Sequence, residues 1–174
     1  MPHDLADRLA NGEPEARVEF FRRYAPQARR ILFLQGYCDE VDDAVQDVFI
    51  KVFRAKIPPH ATLLPWFYRI ILNTGRDHGR RRRSRLGLVE RLQRVAPETV
   101  DYGPTTPVDP ALVEAVAALP PELRECVALR FFADLALDEI ATAQHVPVGT
   151  VKSRLHTAMK RLRASLIAAG YGHD

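Results

Sequence analysis

Four side chains in the middle of the sequence are spaced to meet a polyanion. Arg69, Asn73, Arg76 and Arg80 are separated by four, three and four residues, which on a helix aligns them in one stripe. The stripe runs on into Arg81, Arg82, Arg83 and Arg85. Guanidinium groups hold phosphates, and an amide set among them can reach a base edge; the spacing fits equally an exposed Asn with no such duty. A second basic cluster lies in DEIATAQHVPVGTVKSRLHTAMKRLR, residues 138–163. There Lys152, Ser153, His156 and Thr157 occupy the early turns of a helix-like run, with Arg154, Lys160, Arg161 and Arg163 close by for phosphates. One helix fits the major groove of DNA, and the side chains near its N-terminus then meet base edges.

A third group is acidic. In the run Val41–Arg54, the residues Val41, Ala44, Val45, Val48, Phe49, Val52 and Phe53 make a complete inward stripe, and Asp39 is a plausible cap for it. Asp43, Gln46, Asp47 and Ile50 are left outward. They form either an ordinary solvated face with a stray isoleucine or a docking face for a basic partner.

The elements that must carry these groups are helical. Apolar residues return at three- and four-residue spacing throughout and strand signals are nearly absent, so the fold class is all-α. The segment VAPETVDYGPTTPVDP, residues 95–110, breaks the periodicity with four prolines and a glycine, which predicts a flexible linker between two small helical domains. Fully extended it could span roughly 50 Å, about one and a half turns of B-DNA at roughly 34 Å per turn. Before the linker, a helix is expected from Pro65, since proline suits a first helical position, with Trp66, Phe67, Ile70, Ile71 and Thr74 facing inward. After it, an apolar helix around residues 112–119 and a second over residues 122–132 should pack beneath the hairpin. In that hairpin Ile140 and a small Ala141 lie on a support helix, Val146 and Val151 seal the angle, Pro147 halts the first helix and Gly149-Thr150 open the second.

The bulk numbers agree with a DNA-facing role. The 174 residues are 47% hydrophobic, enough for real cores, and carry a formal charge of +3 with a pI near 9.1. The charge is uneven: residues 69–94 hold nine arginines against Asp77 and Glu90, and residues 147–163 hold five basic side chains and no acid. Two separate basic patches suggest two contacts with a polyanion. Cys38 and Cys126 are too few for a disulfide framework and read as reduced thiols. No apolar run approaches a membrane helix and the start of the chain lacks a signal peptide's apolar core, so a cytoplasmic protein without membrane insertion is expected.

At the hairpin a resemblance becomes clear. VPVGTVKSRLHTAMKRLR, preceded by LPPELRECVALRFFADLALDEIA, resembles the promoter-binding region of sigma-70 family factors of the extracytoplasmic-function (ECF) group. In the first domain FFRRYAPQARRI, DDAVQDVFIKVFRA and WFYRIILNTGRDHGRRRR resemble that group's core-binding and minus 10 segments. The likeness covers about residues 16–166 apart from the linker. It implies a sigma region 2 domain over residues 1–94, a linker over 95–110 and a region 4 helix-turn-helix domain over 111–174. It further implies that Asp43, Gln46, Asp47 and Ile50 face the β′ clamp helices of core RNA polymerase, with the β flap as a second contact. Asn73, flanked by Arg69, Arg76, Arg80 and Arg81, would lie at the melted minus 10 element. Lys152, Ser153, His156 and Thr157 would read the minus 35 element, with Arg130, Arg154 and Lys160 on phosphate. The group also implies an anti-sigma partner. The chain departs from the group's pattern at His145, where a glycine is usual, at Ala136, where a serine is usual, at Thr157, where arginine is frequent, and in KIPPHATLLPW ahead of the minus 10 helix.

Two other functions compete with a promoter-directing subunit. A free-standing regulator with the same hairpin would bind duplex DNA without polymerase and would have no use for the acidic face at Asp47. A helical enzyme would need a constellation that is missing: the six histidines are scattered without metal-ligand spacing, and no nucleophile signature or paired carboxylates stand out. No cofactor is expected; with no GxxxxGK[ST] loop, ATP has no evident place, and strand opening would draw on the binding energy of flipped bases.

Overall fold

In a computed structural model the chain is described over residues 3–36, 41–85 and 109–171, and all regular structure among these residues is helical. Helices α1 (His3–Ala10), α2 (Pro14–Leu34), α3 (Val41–Arg54) and α4 (His60–Arg85) form a first bundle. Helices α5 (Pro110–Ala117), α6 (Pro121–Val127), α7 (Leu137–Gln144) and α8 (Val148–Leu166) form a second around α8. A π-helical turn, Ala128–Phe132, extends α6, and residues Ile167–Tyr171 carry the chain on from α8 with a kink at Gly170, φ 90°. The linker expected over residues 95–110 lies outside the described residues except at its end, where α5 begins at Pro110 and the Asp109 carboxylate accepts from Ala111 N at 2.9 Å. Asp39 also lies outside them.

The inward stripe of α3 is buried as its spacing predicts: Ala44, Val48 and Val52 are fully enclosed, and Phe53 is partly covered. Phe49 joins Phe20, Tyr24 and Phe67 in an aromatic nest, with Phe20 and Phe67 edge to face at 5.1 Å between centroids. Each such pair adds about 0.5–1.5 kcal/mol beyond the area it buries.

Helix α4 starts earlier than expected. It begins at His60, not Pro65, and Pro65 sits inside it. The reason is Leu63, which is fully buried and continues the apolar face of Phe67 and Ile71 one turn upstream. The first turn is closed by Thr62, whose amide and hydroxyl both donate to Pro59 O at 3.0 and 3.2 Å. Burial of that extra turn outweighs the one backbone bond that Pro65 cannot donate. Tyr68 and Leu72 are also buried, although the expected inward face did not include them. The Tyr68 hydroxyl donates to Gln27 Oε1 at 2.5 Å, and burial pushes its phenol well above the ordinary tyrosine range.

The two bundles touch. Helix α4 packs along α7, and α2 packs on the turn after α6 and on α5. Polar groups pin this contact: Arg124 Nη1 donates to Gln35 O at 3.2 Å, and the Arg30 guanidinium lies 4.5 Å from the Phe132 ring centroid.

Candidate nucleic-acid interface

The hairpin of the second bundle turns at a strained residue. His145 ends α7 with φ 55° and ψ 46°, the left-handed conformation that glycine adopts freely and histidine only at some cost. Val146 N then closes on Ala141 O at 3.1 Å, and Pro147 leads into α8. Ile140, Ala143, Val151 and Ala158 are buried between the helices. Because those residues fix the roll of α8, Lys152, Ser153, His156, Thr157 and Lys160 are all exposed on the opposite side. The Ser153 hydroxyl donates to Thr150 O and the Thr157 hydroxyl to Ser153 O, each at 2.9 Å.

Two of the basic residues assigned to this surface point elsewhere. Arg154 donates to Gln144 Oε1 at 3.2 Å, and Arg130 donates to Leu135 O at 2.8 Å. Both are bonded within their own bundle, so the structure does not gather them with the exposed set.

The arginine stripe of α4 meets the second bundle. Arg76 donates through Nε to Glu125 Oε1 at 2.9 Å and through Nη2 to Glu125 Oε2 at 2.5 Å, a bidentate pair. That hydrogen bonding raises the Arg76 pKa further above its ordinary value, against a smaller lowering by burial. Arg76 also reaches Asn73 Oδ1 at 3.3 Å, Arg69 meets the His145 ring, and Arg80 pairs with Asp77. Of Arg81 only the helical backbone is described. Glu125 is 3% exposed and takes a third bond, from Gln144 Nε2 at 3.3 Å; Gln144 Oε1 in turn accepts from Arg154 and from the Cys126 thiol. One buried carboxylate therefore ties an arginine of α4, through Gln144, to an arginine of α8.

On α3, Asp43, Gln46 and Ile50 are exposed, and Ile50 is 46% accessible despite its apolar side chain. Asp47 is half-buried, with Oδ2 2.7 Å from His78 Nε2. Beneath this face Lys51 Nζ donates to the buried Thr74 hydroxyl at 3.0 Å and lies 3.5 Å from Asp77. Phe21, 42% exposed, stacks edgewise on Phe49.

Sequence reasoning missed His78, Glu125 and Gln144. His78 was legible, because it continues the inward series Phe67, Ile71, Thr74 by four residues. Glu125 was not: its partner lies 49 residues away across the linker.

Among the described residues no group of His, Cys, Asp and Glu could hold a metal, and no helix is long and apolar enough to cross a membrane. Comparison with known proteins finds the Sigma-70 region 2 model matching residues 20–85 and the Sigma-70 region 4 model matching residues 110–162. The chain is 29% identical over 161 residues to the ECF RNA polymerase sigma factor RpoE of Cereibacter sphaeroides, covering 84% of this chain and 83% of that one. It is 34% identical over 155 residues to the ECF RNA polymerase sigma factor SigE of Mycolicibacterium smegmatis, covering 83% of this chain and 59% of that one. The fold matches that of the sigma factor RpoE solved with the anti-sigma factor NepR from Bartonella quintana, with TM-score 0.70 at 22% identity over 85% of this chain and 94% of that one. With a family model on each bundle, in family order, the chain belongs to the sigma-70 family of RNA polymerase sigma factors, in its ECF group: non-enzymatic initiation factors that direct core polymerase to specific promoters.

Proposed function

We propose that this sigma factor docks on core polymerase through α3, with Asp43, Gln46, Asp47 and Ile50 on the β′ clamp helices, and reads two promoter elements with α4 and α8. In this reading residues 1–94 bind core and the minus 10 element, residues 111–174 bind the minus 35 element and the β flap, and residues 95–110 tether them. Asn73, with Arg69, Arg76, Arg80 and Arg81, serves the opened minus 10 strand. Lys152, Ser153, His156 and Thr157 face minus 35 base edges, while Lys160 takes phosphates, as do Arg130 and Arg154 once they leave Leu135 O and Gln144 Oε1. The factor works in the cytoplasm, beside the polymerase. An anti-sigma protein, as in the solved RpoE–NepR complex, holds it inactive until a signal arrives.

The observation that carries this reading is the outer face of α8. Five exposed polar side chains line it, and no acidic residue occurs anywhere from Val148 to Leu166. A helix with that face attracts phosphate along its length and offers its first turns to base edges. The two bundles must part before the α4 stripe can serve DNA, because Arg76 cannot hold Glu125 and a phosphate together. Binding to core supplies the free energy for that separation.

Run-off transcription tests the reading. The purified chain, bacterial core polymerase lacking any sigma and a library of genomic fragments from the source organism should give specific transcripts only when combined. Tight duplex binding by the chain alone, without transcripts and without affinity for core, would instead mark a free-standing regulator.

A further inference from the structure

We propose that Ser153 and Thr157 read exocyclic amino groups, adenine N6 or cytosine N4, in the minus 35 element. This rests on the reading that α8 enters the major groove. A hydroxyl has one proton. Ser153 Oγ lies 2.9 Å from Thr150 O, and Thr157 Oγ1 lies 2.9 Å from Ser153 O. A carbonyl brings no proton to such a contact, so each hydroxyl spends its own inward and turns only lone pairs outward. Both side chains are exposed.

In the major groove those lone pairs match adenine N6 and cytosine N4, the two donors, and oppose guanine O6 and N7 and thymine O4, which are acceptors. A hydroxyl could rotate to donate, but only by giving up its backbone bond, so amino-bearing bases are preferred by roughly ten-fold. Lys152 and Lys160 flank the pair and can only donate. The face thus divides in sense: Lys152 selects an acceptor edge, the two hydroxyls select donor edges. His156 lies between them and can serve either way, so it is the rival for the same bases.

The test is equilibrium binding of the chain assembled with core polymerase to promoter duplexes altered one base at a time in the minus 35 element. Adenine is replaced by purine and cytosine by 2-pyrimidinone, each of which lacks only the amino group, and purines by their 7-deaza forms, which lack an acceptor. Loss of an amino group at one or two positions should weaken binding by roughly ten-fold. That loss should vanish in S153A or in T157V, both exposed sites where the fold is not at stake. Coupling of these variants to the 7-deaza bases would overturn the proposal, as would coupling of the amino group to H156A alone. Equal affinity for a scrambled minus 35 element would overturn the groove reading itself, and the proposal with it.

Discussion

On the face proposed to dock on core polymerase, Asp47 carries a charge that is held in place. Its carboxylate is fixed by His78 from α4, 2.7 Å away, and Ile50 one turn on is 46% exposed on the same face. An oriented carboxylate beside an apolar anchor suits a basic helix with one apolar contact better than it suits water. Asp47→Arg is expected to reduce affinity for core polymerase by at least 100-fold while leaving the helical circular dichroism spectrum intact, with only a modest drop in melting temperature from the lost His78 contact. The expected size follows from reversing a central interface charge, where like charges cost several kcal/mol. Normal core affinity in the variant would remove Asp47 from the interface. The outward set on α3 was legible because its inward stripe is complete. The orienting role of His78 was not, since periodicity shows which way a side chain faces and says nothing of which polar atom it finds.

At the scale of the element, two of the positions where the hairpin differs from the group's usual pattern, Ala136 and His145, differ physically from each other. Ala136 caps α7 with ψ 160° and no side-chain acceptor, while Glu139 reaches back to Ala136 N at 2.8 Å. Half of a capping box is therefore present. Ala136→Ser should complete it by accepting from the amide of Glu139, adding about 1 kcal/mol of stability. Chemical denaturation should show a raised midpoint with an unchanged slope; an unchanged midpoint would mean that the serine hydroxyl stays in water. His145, by contrast, holds the left-handed turn that a glycine would hold without strain, yet its ring meets Arg69 of the other bundle. What looks like a local flaw in the sequence is thus also an inter-bundle contact. Other element-level features were legible in different degrees. The α3 stripe and the place of α8 follow from periodicity and the Pro147 break. The start of α4 does not, because Pro65 suits a first helical position while the buried Leu63 lies ahead of it.

For the whole molecule, two separable domains on a linker were expected and two touching bundles were found. The contact is polar at its centre: Glu125, nearly sealed within the second bundle, takes both donor edges of Arg76 from the first. Nothing in the sequence marks this, because a charged pair across a linker leaves no periodic trace. Arg76 remains about half exposed, so solvent screens it and the pair contributes on the order of 1 kcal/mol to holding the bundles together. Glu125→Gln keeps the shape and removes the charge. It should therefore shift the free chain toward separated bundles by about five-fold, the ratio that corresponds to about 1 kcal/mol. Small-angle scattering should report a larger radius of gyration, and promoter duplex should bind the free chain more tightly in the same proportion. Loss of Arg76 alone would not discriminate, since it removes the clasp and the proposed phosphate contact together. The reversed pair does: R76E with E125R should restore the compact scattering profile yet leave transcription with core impaired, because an acid then faces the minus 10 strand. Full transcription by the reversed pair would mean that Arg76 only holds the bundles and never touches DNA. A compact profile in Glu125→Gln would mean that the contact of α2 with the turn after α6, and not the Arg76–Glu125 pair, keeps the molecule closed.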